Sequence, residues 1–138
     1  EYCLLYHINV GYPMLDAGAR LVGDVVKCTP RTPWSKENEA AHQEMVQPTP
    51  GEEEMCYYLE MKQPEISLVN DRLGKKLTVS YSPETLPHFV EWKSMASGDY
   101  ALGLEPCTTE LDDRFVYRTI RKNESVSFRI QLAVTQEK

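Results

Sequence analysis

Three stretches set ionisable side chains among hydrophobic neighbours at the two-residue spacing of a strand. In Tyr100-Ala101-Leu102-Gly103-Leu104-Glu105, alternation puts Tyr100, Leu102 and Leu104 on one face and Ala101, Gly103 and Glu105 on the other. A carboxylate beside two nearly absent side chains has open space in front of it, and glycine inside a strand often marks a close approach. That face suits a base reaching a ligand. It equally suits a strand end with a solvated Glu. His7 shares a face with Asn9. Histidine changes charge near neutral pH and asparagine donates and accepts at once, which is acid–base and binding chemistry, although a lone His also serves as a structural residue. His88 falls on one face with Val90 and Trp92, just before Lys93. Trp92 can stack on the apolar side of a sugar ring or fill a core. His42 lies in a polar stretch and reads as solvated.

The elements that must position these residues are nearly all strands. Cys3 to Val10 alternates, and Gly11-Tyr12-Pro13 ends it because the residue before proline is pushed out of helical space. Further strands are expected over residues 20–27, 55–61, 65–70, 75–81, 88–94, 99–105 and 125–135. Gln63-Pro64 and Asn70-Asp71-Arg72-Leu73-Gly74 supply turns between them. One helical patch is expected from Ser35, as N-cap, to Met45. Pro30, Pro33, Pro48 and Pro50 mark residues 29–51 as a loop-rich insertion. Short strands with polar, proline-rich connections predict an all-β protein, an antiparallel sandwich or barrel-like sheet, in one domain over residues 1–138.

Composition narrows the function classes. The 138 residues are 41% hydrophobic and 26% charged, too apolar for a disordered segment. A net charge of −6 repels a phosphate backbone, so no nucleic acid is expected as a partner. No apolar run approaches the ~20 residues that span a bilayer, and Glu1-Tyr2-Cys3 has no basic signal-peptide start, so a cytoplasmic protein without a membrane partner is expected. Cys3, Cys28, Cys56 and Cys107 are too widely spaced for a zinc or redox motif and are read as free thiols. No metal and no cofactor are expected. Neither a dinucleotide fingerprint nor a P-loop occurs. Asn123-Glu124-Ser125 is read as a chance turn sequence rather than a glycosylation site.

Two longer stretches carry a resemblance. Leu5-Tyr6-His7-Ile8-Asn9-Val10-Gly11-Tyr12-Pro13-Met14-Leu15-Asp16 resembles a signature of one branch of the aldose 1-epimerase (galactose mutarotase) superfamily. Leu86-Pro87, Glu91-Trp92-Lys93 and the run Gly98 to Pro106 look like that branch's second signature, and Glu124 to Val134 is similar to its closing strand. The resemblance implies part of a large antiparallel β-supersandwich, of which this chain would be the C-terminal portion. It further implies interconversion of α and β sugars, with Glu105 as general base and His7 as general acid. Asn9 and Trp92 would line the substrate site. A small-molecule sugar is then the expected ligand. A homodimer, or pairing with an N-terminal half, is the expected assembly, because the edges of a cut sandwich favour pairing. A glutamate in Glu52-Glu53-Glu54 also falls where the branch places one before a strand.

Overall fold

The computed structural model describes residues 1–137. Seven strands form one antiparallel sheet: β1 (Ile8–Val10), β2 (Arg20–Pro30), β3 (Met55–Asn70), β4 (Lys75–Tyr81), β5 (His88–Ser94), β6 (Ala101–Cys107) and β7 (Ile130–Gln136). The order is β1-β6-β5-β3-β4-β7, with β2 along the other edge of β3.

β3 organises the sheet. Its first residues pair with β5 (Met55–Tyr58) and its last with β4 (Glu65–Asn70), while β2 follows it along nearly its whole length. Two half-sheets therefore hang from one strand. Their inner faces meet in one core: Tyr57, Phe89, Leu102 and Leu104 from one half join Leu21, Ile66, Leu68 and Val79 from the other, with Leu15 and Met45 from the loops. This is the all-β, sandwich-type packing expected from the alternation. Where sequence suggested two strands around a Gln63-Pro64 turn, one strand of 16 residues runs through. The core-facing phase slips inside it, from Met55, Tyr57 and Leu59 to Ile66 and Leu68. β2 follows with register shifts between Gly23 and Lys27. Proline in mid-strand is tolerable here because residues 59–64 face no strand on the β4/β5 edge.

The last strand is shorter than expected, starting at Ile130. The helix is shorter too. It covers Pro33–Glu37 (α1), followed by a 3₁₀ turn at Glu39–Ala41. Thr32, not Ser35, is its N-cap: the Thr32 hydroxyl accepts from the Ser35 amide at 3.1 Å, and Pro33 takes the first-turn position where no N–H is needed. Ser35 is fully buried, and its hydroxyl accepts from the Cys56 amide at 2.9 Å.

His42 also departs from its sequence reading. It is buried, and its Nδ1 lies 2.7 Å from Oε2 of Glu91, which is fully enclosed. Lys93, nearly as buried, donates to the carbonyls of His42 (2.9 Å) and Glu44 (2.8 Å). Glu91 and Lys93 alternate with Trp92, so they point to the opposite side of the sheet from it. They fasten the 39–45 loop over the core. Among the described residues all four cysteines are free, and no helix is long and apolar enough to cross a membrane.

Candidate active site

The face opposite the main core carries the residues singled out for chemistry. Strand register puts them in two rows. Tyr58, Val90 and Glu105 lie side by side across β3, β5 and β6, and Cys56, Trp92, Gly103 and Asn9 lie side by side across β3, β5, β6 and β1. β1 pairs Ile8 with Leu104, so His7, just before it, comes beside Glu105. His7 Nδ1 lies 3.1 Å from Glu105 Oε1. The four residues named from sequence thus share one patch, although residues 11–100 separate the first strand from the sixth. His88 lies on the same side but opposite Cys107. It lines a separate cavity with Tyr58, Tyr81, Phe89 and Glu110, where β4 and β5 diverge, and neither His7 nor Glu105 reaches it.

Exposure divides the pair. The His7 side chain is 53% exposed and that of Glu105 only 3%. Burial pushes the Glu105 carboxyl above the ordinary carboxylate range, and the charge of a protonated His7 pulls it partly back. Glu105 Oε1 is shut off from solvent and has no directed hydrogen bond, since the contact to His7 is within ion-pair distance but poorly aimed. A buried acceptor without a donor costs free energy, about 1–3 kcal/mol in proteins.

Gly103 explains how the carboxylate fits. Glu105 is two residues further along the same face and folds back over Gly103, so any β-carbon there would collide with Glu105 Oε1 and lie 3.1 Å from its Cδ. The close approach read from a glycine inside a strand is made by the strand's own glutamate.

Trp92 is half-buried, neighbouring Gly103 across the β5–β6 ladder. Its ring meets the His7 ring edge-on at 5.9 Å, and its Nε1–H donates to Glu54 Oε2 at 2.8 Å. The indole is held at two edges while staying partly open. Glu54 is the member of the acidic run that reaches the site, a choice that needs the β3–β5 register and could not be made from sequence. Asn9 is exposed beside Gly103. Sequence reading also missed Arg31, which follows β2 and forks onto Asp112 at 2.5 and 2.7 Å. Asp112 holds a left-handed backbone (φ 62°), and Tyr58 donates to it at 3.4 Å. This latch ties the turn after β6 across the β2 side of the patch. Its only sequence signal was a run of charged residues.

Comparison with known proteins agrees on the fold. One solved structure, described as a "putative aldose 1-epimerase from Klebsiella pneumoniae subsp. pneumoniae", superposes with a TM-score of 0.72 at 25% identity over 79% of this chain. The matched region is 30% of that protein, so this chain spans less than a third of its length. The fold is a distant aldose 1-epimerase-like one. No curated protein matches the chain. The family described as Domain of unknown function (DUF4432) matches residues 1–134, and the chain belongs to that family.

Proposed function

We propose that the chain binds an aldose on the Trp92 patch and interconverts its anomers, acting as the C-terminal portion of a mutarotase-like fold in the cytoplasm. The observation that carries this reading is the contact of a buried, unsatisfied carboxylate with an exposed histidine at one edge of a tryptophan. A pyranose ring would lie on Trp92, with hydroxyls at hand for Glu54 and Asn9. Its anomeric end would meet the Glu105–His7 pair.

The adjacency of the pair suits the chemistry. The two oxygens that exchange protons, the anomeric hydroxyl and the ring oxygen, are bonded to the same carbon, so neighbouring side chains can serve both. Glu105 takes the proton of the anomeric hydroxyl as the carbonyl forms. The C1–O5 bond breaks, and the ring oxygen leaves with the proton of His7. The carbonyl rotates about C1–C2, and the reverse transfers close the ring on its other face. Each proton transfer of this kind contributes about 10²–10⁴-fold. The reverse transfers leave Glu105 ionised and His7 protonated, so the 3.1 Å pair is restored at the end of each turnover.

Polarimetry of freshly dissolved α-galactose and α-glucose tests the proposal. The chain should accelerate mutarotation, and Glu105→Gln should bind sugar without accelerating it. A variant as fast as the parent removes Glu105 from the mechanism. A second reading, sugar binding without turnover, is favoured by the 3% exposure of Glu105. It predicts a sugar-induced rise in melting temperature and no change in optical rotation rate.

A further inference from the structure

Among the described residues three strands present a free edge: β1, β2 and β7. Soluble sheets blunt such edges, because a row of unpaired N–H and C=O groups recruits other chains. β1 is blunted by length, with three residues ended by Gly11 and Pro13. β2 carries two register shifts, the charges of Arg20, Asp24 and Lys27, and Pro30 at its end. β7 has none of these. Ile130-Gln131-Leu132-Ala133-Val134-Thr135-Gln136 contains no charge and no proline, and it pairs with β4 without interruption over seven residues.

Its apolar side is also bare. Leu132 and Val134 are in register with Val79 and Leu77, on the core side of the sheet. Val79 is fully buried, yet Leu132 is 54% and Val134 64% exposed. Ile130 at the start of β7 still packs against the core, and beyond it the covering layer stops one strand before the sheet does.

We propose that β7 is the contact through which two copies of this chain pair, antiparallel and centred on Ala133. The strand is self-complementary about that residue. A two-fold axis at Ala133 sets Leu132 opposite the partner's Val134, and Val134 opposite the partner's Leu132, on the face that is bare in one copy. It sets Arg129 opposite the partner's Glu137, closing each end of the seven-residue ladder with opposite charges. Glu137 already has Lys76 at 3.8 Å, a distance that leaves room for a second cation. One-residue slips lose the symmetry, because they put apolar residues opposite Gln131 or Thr135 and pull the charged ends out of step.

Sedimentation velocity across protein concentrations on the order of 1–100 µM should show mass rising from 15.9 kDa toward twice that value. Val134→Lys should hold the chain at single mass, and because that side chain is already largely exposed the variant should fold normally. Register is read separately by oxidation in a Cys3→Ser background. Ala133→Cys should cross-link to its own copy, whereas Gln131→Cys, facing the partner's Thr135, should not. A single mass at every concentration overturns the proposal and leaves the edge to another segment of a larger fold. A dimer untouched by Val134→Lys, or cross-linking of both cysteine variants alike, overturns the β7 register.

Discussion

On the proposed mechanism, Gly103 is the position where a single methyl group should separate activity from stability. A β-carbon added there collides with Glu105 Oε1 and lies 3.1 Å from Glu105 Cδ and 3.2 Å from Trp92 Cβ. Carbon–oxygen contact becomes comfortable near 3.5 Å, so the carboxylate must recede by roughly 1 Å. The atom that moves is the far end of a flexible side chain, and the displacement strains little backbone. In a strand interior Ala also removes the entropic cost of Gly, roughly 0.5–1 kcal/mol, which offsets the tight contact with Trp92. Gly103→Ala should therefore melt within about 4 °C of the parent. Its chemistry should fare much worse. A misplacement of about 1 Å can cost 10²-fold in rate, about 2.7 kcal/mol at 1.36 kcal/mol per tenfold. Polarimetric mutarotation rates, taken beside melting curves of both proteins, give the two numbers. A Gly103→Ala protein within about twofold of the parental rate would refute the placement of the Glu105 carboxylate as the acting base.

Further outcomes follow from the same geometry. Mutarotation should be lost as pH falls through the Glu105 value; because burial raises that value, the acid limb of the pH–rate profile should lie above the ordinary carboxyl pKa of about 4.3, and a limb at or below it contradicts the desolvated site. Trp92→Ala should weaken sugar binding at least tenfold by calorimetry with a folded far-UV spectrum, since its ring is only half-buried at the rim of the small cluster of Cys56, Tyr58, Val90 and Cys107. At the opposite face, His42→Ala leaves the enclosed Glu91 carboxyl without its partner and should cost about 1–3 kcal/mol in urea unfolding, whereas Glu91→Gln keeps an acceptor for His42 and should cost less. Burial raises the Glu91 value above that of the unfolded chain, so its contribution is complete at acid pH and is lost as pH rises through the raised value; Glu91→Gln should flatten that part of the stability–pH curve. In the folded chain at pH 8, Cys3 should react with a thiol reagent well before Cys107, whose enclosed thiol is pushed up to about 12.

Much of the patch was legible because period-two alternation says which side a residue takes. It placed Glu105 with Gly103 and His7 with Asn9 on single faces, and both assignments hold. Alternation is silent on which strands are neighbours. That β1 lies against β6, and so brings His7 to Glu105, had no local signal; the family resemblance joined the two residues by role and left the order of strands open. The same silence hid Glu54 among three acidic residues. Local rules also failed where tertiary packing overrode them. Gln63-Pro64 has turn chemistry, yet β2 holds the backbone of β3 extended through it, and the cost appears as a slip in phase rather than a reversal. His42 reads as solvated because its neighbours are polar. Its partner Glu91 lies 49 positions away and gives no sign in the local pattern.

The pairing of the first strand with the sixth also sets an order of events in time. The Leu4 amide reaches the Thr108 hydroxyl across 104 positions of sequence, and β1 joins the sheet through β6 alone. Closing so long a loop carries a larger entropic penalty than forming the β3–β4 hairpin, and distant pairings form slowly. During refolding, β2 to β7 can assemble around the core while the N-terminal segment is still searching. Such a species would have its buried aromatic residues in place and Glu105 uncovered, without its histidine. Competence for proton transfer would be the last property the chain acquires, and the first it loses when the N-terminal strand frays.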